Sequence, residues 1–193
     1  MWMLVGGLAL FFGAHLVPTF PELRSRLVAA VGSGAYSGLF ALVSLVALVL
    51  IVFGFGQMQG LARGNPELWA PPSWGRHAAM LLMVPAIVLL VAAYVPSRIR
   101  TAVGHPMLAG VAMWAFGHLL ANGDLASVLL FGSFLVFAVY DIISASQRAA
   151  LGPLGRAQGS VAGDVAAIAG GLALYGLLLF WGHRWLTGVP VLP

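Results

Sequence analysis

The sequence predicts an all-α fold, a polytopic membrane helix bundle of about six transmembrane helices, and three observations carry that expectation. Of 193 residues, 61% are hydrophobic and only 7% charged, whereas an ordinary soluble domain carries about a quarter charged residues. Mean hydropathy is +1.01. Six segments approach the roughly 20 apolar residues that a helix needs to cross the hydrocarbon of a bilayer, at residues 1–20, 36–56, 77–95, 105–121, 125–144 and 165–186. Residues 1–193 therefore read as a single transmembrane domain.

The first segment begins at Met1 without a basic stretch or an Ala-x-Ala cleavage pattern, so it is read as a span and not as a removable leader. Glycine and proline punctuate the joints: PTFPELRSR after span one, NPELWAPPSW after span two, VPSRIR after span three and GPLGRAQGS after span five. Only NGD separates spans four and five, which predicts a tight antiparallel hairpin. Gly34 and Gly38 form a GxxxG at the start of span two, a spacing that with 25 glycines arises readily by chance and is read as ordinary close packing.

All nine basic residues are arginines. Short arginine-rich loops stay on the cytoplasmic side of a membrane. Arg24, Arg26, Arg98, Arg100, Arg148 and Arg156 follow spans one, three and five, against Arg63, Arg76 and Arg184 on the other side. Both termini are therefore expected to be periplasmic or otherwise external. A net charge of +4 distributed this way reports topology, and no nucleic-acid partner is expected. Membrane lipids are the obligatory partner. The chain has no cysteine, which removes disulfides, thiolate nucleophiles, iron–sulfur clusters and thiolate-ligated haem.

Imidazole is then the strong metal-binding group that remains, and the five histidines fall in two layers when each span is followed in depth. His15 and His105 lie toward the cytoplasmic side; His77, His118 and His183 lie toward the external side. His77 and His183, near span ends, read as interfacial residues with one wet nitrogen. His105 precedes Pro106, which suits a helix first turn, so its expected role is capping. Asp124 and Asp164 stand at expected N-caps. Asp141, inside span five, is expected to accept from His105 or to pair with Arg148, because an unpaired carboxylate there is costly. His15 and His118 are deeper, among apolar residues, with ligation and interhelical hydrogen bonding as the two readings. His105 and His118 are thirteen residues apart, about 220° around one helix, so they face opposite ways. Met107, Val111 and Trp114 share the His118 stripe, where a flat ligand can lie. Neutral imidazoles from two spans are a common way to hold a b-type haem, whereas zinc or non-haem iron normally recruits carboxylates or thiolates as well.

The block GHPMLAGVAMWAFGHLLANGDLASVLLFGSFLVFAVYDIIS, with FFGAHLVPTFPELRSRLV, GSGAYSGLFALVSLVALVLIVFGF and PPSWGRHAAMLLM, resembles the NnrU family of six-span bacterial membrane proteins over nearly the whole chain. The resemblance implies a multi-pass protein of the bacterial inner membrane, associated with nitric oxide and nitrite respiration (denitrification). The same blocks are similar to the haem-dependent zeta-carotene isomerase, whose counterparts of His15 and His118 are its proposed ligands to haem b; a cysteine proposed there as an alternative ligand is Ala115 here. HPMLAG also resembles the RHP motif of membrane methyltransferases, but Gly104 replaces the arginine and the paired acidic residues are missing.

These resemblances imply haem b held by His15 and His118 as the metal ligands, with His105, His77, Trp114 and Met107 as further cofactor-binding candidates. They imply nitric oxide, a polyene, or respiratory complexes as partners. Three functions follow as expectations: a haem b protein of denitrification, a haem-dependent cis–trans isomerase of a carotenoid or other isoprenoid polyene, and a non-enzymatic assembly partner of a respiratory complex. The depth layers disagree with the ligand pair: in perpendicular spans, His15 and His118 differ by about 15 Å in height at 1.5 Å per residue.

Overall fold

A computed structural model describes residues 1–60, 64–188 and 190–192. The described residues are helical apart from turns and two isolated bridges. Five helical segments are long and apolar enough to cross a membrane: Trp2–Thr19, Ser33–Gln59, Gly75–Ala92, Leu125–Gln147 and Val161–Thr187. The fourth predicted span is a shorter helix of 16 residues, Pro106–Ala121, which rises about 24 Å. The expected helical membrane bundle is therefore the observed one, and its many exposed large apolar side chains, such as Leu42, Leu45, Phe53 and Leu81, are suited to lipid. Arg63, one of the arginines used for sidedness, lies outside the described residues.

Contacts divide the chain into two compact units, residues 1–69 with 124–133 and residues 70–123 with 134–193. In the first unit, α1 (Trp2–Leu16) lies antiparallel along α3 (Ser33–Gln59). A β-carbon on Gly7 would come within 2.8 Å of the Ile51 backbone nitrogen, so the two helices touch backbone to backbone there. Gly34 and Gly38 have no such neighbour and take no part in this packing. The joint PTFPELRSR is itself largely helical, a 3₁₀ turn at Val17–Thr19 and then α2 (Pro21–Val31), since Pro21 at the first position and Glu22 in the first turn suit a helix N-terminus.

Asp124 ties this unit together. It caps α7 (Leu125–Ser127): Ser127 N donates to its Oδ1 at 3.0 Å and the Ser127 hydroxyl to its Oδ2 at 2.6 Å. The same Oδ1 accepts from Asn65 at 2.8 Å and Gln59 at 3.1 Å, while Asn65 Oδ1 accepts from Ala126 N at 2.8 Å. Phe131, in the π-helical turn Val128–Gly132 that continues α7, meets Phe55 edge on.

In the second unit, α4 (Gly75–Ala92) is flanked by α6 (Pro106–Ala121) and α9 (Val161–Leu177), both antiparallel to it. The packed neighbour of α6 is thus α4. The joint VPSRIR contains a six-residue helix, α5 (Arg98–Val103), capped by the Ser97 hydroxyl. Arg100, read from sequence as a loop arginine, is buried at 8% exposure and clamps the loop before α9 by donating to the carbonyls of Gly155, at 3.0 Å, and Ala157. Asp164 is not the cap of α9. Ser160 holds that place, and Asp164 sits in the first turn, where it accepts from Ile99 N at 3.0 Å. α8 (Ser133–Gln147) follows the Val128–Gly132 turn, and after α9 a second π-helical turn, Leu178–Gly182, leads into α10 (His183–Thr187).

Candidate functional site

Two of the five histidines share one local geometry. His15 Nδ1 lies 2.8 Å from the carbonyl of Phe11, and His118 Nδ1 lies 2.8 Å from the carbonyl of Trp114. A helical side chain leans back over the preceding turn, which brings the ring of residue i to the carbonyl of i−4. A carbonyl only accepts, so each Nδ1 carries the proton and each ring keeps its lone pair at Nε2. Apolar surroundings demand this arrangement, because no water is at hand to satisfy the N–H. A ring of this tautomer, oriented by a bond at its other nitrogen, is what a metal-binding imidazole requires.

Their surroundings differ. In the first unit, His15 is half-buried and stacked on Phe11, with centroids 3.9 Å apart and planes at 19°, and Phe40 tilts against it at 4.9 Å. In the second unit, His118 lies beside Trp114 at 5.3 Å and faces His183 at 6.5 Å, with the two imidazole planes within 16° of parallel. Phe134 meets Trp114 edge on at 5.6 Å. A large aromatic stripe on α6 is therefore present as expected, but Met107 stands eleven residues before His118 on that helix, about 16 Å away along its axis.

The remaining candidates lie apart from this cluster. His77 is exposed in the first turn of α4. His105 occupies the N-cap position of α6 as expected, but its side chain makes no capping bond; its backbone carbonyl accepts from Ala109 N at 3.0 Å. Asp141 pairs with Arg148 at 3.0 Å, the second of its two expected partners, and Arg148 Nε also donates to Ser144 at 3.1 Å. Ala115, at the position of the isomerase's cysteine, is fully buried.

Sequence reasoning, which treated His183 as an interfacial side chain, did not single out the proximity of its ring to that of His118. The depth layers held the signal that could have found it, since they set His183 beside His118. Among the described residues no three or more of the histidines and carboxylates converge on one point. A porphyrin brings four nitrogens of its own and asks the protein for one or two imidazoles, which this donor set can supply.

The sequence profile of one family, described as NnrU protein, matches residues 3–191. No curated protein and no solved structure matches the chain.

Proposed function

The chain belongs to the NnrU family, and from that footing we propose that it is a haem b-binding protein of the bacterial inner membrane that serves nitric oxide and nitrite respiration. The observation that carries the reading is the tautomer of His118: its Nδ1–H is held by the Trp114 carbonyl at 2.8 Å, so its Nε2 lone pair is oriented for iron. His15, oriented in the same way by Phe11, is the second imidazole that the isomerase resemblance implies. If bound, haem would supply a redox-active iron able to take a small ligand such as nitric oxide.

The residues of the chain do the rest. The Trp114 ring beside His118 restricts rotation of the imidazole, and Phe134 seats Trp114 in turn. Membrane lipids surround the bundle, and respiratory complexes are its protein partners. In this reading the loops holding Arg24, Arg98 and Arg148 face the cytoplasm and both termini the periplasm, an orientation that the arginine distribution supports.

Purification from haem-replete cells, followed by oxidised and dithionite-reduced absorption spectra, tests the reading. The expected result is a Soret band that sharpens and shifts on reduction, with a distinct α band. A preparation that carries no haem and takes up none when hemin is added overturns the proposal.

A further inference from the structure

We propose that α2 is an in-plane membrane helix, whose apolar stripe lies in the bilayer surface where α1 ends and whose two arginines bind the headgroups of anionic phospholipids. The inference is independent of haem binding. Three observations in the first unit carry it.

The first is that α2 is a helix without a core. It has 11 residues, none of them buried, and only Val28 is half-buried. A helix shorter than about 12–15 residues is marginal in water on its own propensity, and most helices are held by packing one apolar face. Nothing in the first unit takes up such a face of α2. Its contact with α3 is local: Arg24 lies over the Tyr36 ring, 5.8 Å from the centroid.

The second is the pattern of what stays outside. Leu23, Leu27 and Val31 are 45%, 38% and 48% exposed, and Phe20, just before the helix, is 53% exposed. At 100° per residue the three helical positions fall within about 80° of one another, a single stripe along the axis. Glu22, Ser25 and Ala29 lie on the opposite side. Arg24 and Arg26 fall at the two borders of the stripe, and both are exposed. An apolar stripe bordered by arginines is the pattern of a helix lying in a bilayer interface, with the long side chains reaching up to the phosphates while the stripe sinks below them.

The third is the tether, which decides what covers the stripe. Residues 17–20 join α1 to α2, and Gly32 alone, turning at a φ of 85°, joins α2 to α3. Since α1 and α3 are antiparallel apolar spans, both ends of α2 are held at the one membrane surface where α1 stops and α3 starts. One residue of slack spans only about 4 Å per step. The stripe therefore continues the lipid-facing surface of the two spans, and the bilayer is its occupant. Two arginines against Glu22 give the helix a net positive charge, which complements anionic headgroups.

The absence of cysteine allows a local test on the full-length protein. Bimane is attached at Leu27→Cys or at Ala29→Cys, and the protein is placed in phosphatidylcholine nanodiscs into which phosphatidylglycerol or phosphatidylcholine with brominated acyl chains is titrated. Bimane at position 27 should be quenched strongly and at position 29 weakly. Brominated phosphatidylglycerol should quench at position 27 with higher apparent affinity than brominated phosphatidylcholine, by about fivefold for each arginine. Arg24→Gln with Arg26→Gln should bring the two lipids level, while quenching by brominated phosphatidylcholine persists and shows the helix still seated. A label at position 27 that neither lipid quenches, as when the stripe points into water or is covered by another protein chain, overturns the in-plane helix. Equal quenching by the two lipids with both arginines present overturns the headgroup site.

Discussion

Asp124 shows how much one side chain can hold in a chain with five acids. Partial burial pushes its carboxyl up, but hydrogen bonds from Ser127, Asn65 and Gln59 outweigh that effect and hold it below its ordinary value of 3.8. A carboxyl whose folded pKa is depressed binds fewer protons folded than unfolded, so its stabilisation is present above the unfolded value and is lost as pH falls through the folded one. The melting temperature in detergent should therefore drop as pH is lowered from about 5 to 3, and Asp124→Asn should flatten that part of the profile. At neutral pH, Asp124→Ala should cost about 1 kcal/mol for the lost cap alone. A melting curve equally steep below pH 4 in wild type and Asp124→Asn would assign the acid sensitivity to another group. The cap itself was legible from sequence, because aspartate after NG and before an apolar run is a helix-start signal. Its bonds to Gln59 and Asn65 were not, since these lie 65 and 59 residues away and periodicity carries no long-range partner.

At the scale of elements, the helices were legible in their apolar lengths and their contacts were not. Glycine marks the contacts. A β-carbon on Gly171 would come within 2.7 Å of Val88 Cα, backbone that cannot step aside, whereas one on Gly176 would meet nothing within 4 Å. Gly171→Val should destabilise the second unit by about 1–3 kcal/mol, and Gly176→Ala should be tolerated; equal losses in thermal unfolding would mean that α4 and α9 do not pack as described. With 25 glycines in the chain, nothing in the sequence separates Gly171 from Gly176 or from the GxxxG at Gly34 and Gly38. The π-helical turns were equally silent. A hydropathy pattern averaged over a span does not register one extra residue in a turn. Ala149, with φ of 47°, ends the region after α8 in a left-handed conformation for which no glycine gave warning.

For the molecule as a whole, the absence of cysteine gives a direct check on the proposed orientation. Single cysteines placed in the Arg24, Arg98 and Arg156 segments should resist a membrane-impermeant maleimide in intact cells and react after lysis, while one beside Trp2 should react in both. The reverse pattern would invert the bundle. Family and fold class were legible because both are written along the chain, in the HLLANGD block and in the apolar runs. The proximity of the His118 and His183 rings was not, because it depends on which turns of which helices face each other.

The division of the chain also sets an order of events during synthesis. The first unit takes residues 1–69 and then waits for 124–133. At about 5–20 residues per second, the 55 residues from Trp69 to Asp124 occupy the ribosome for about 3–11 s. During that interval Gln59 and Asn65 are already made and must be served by water, lipid headgroups or the insertion machinery. Asp124 then acts as a late clasp, closing a unit begun before α4, α5 and α6 existed.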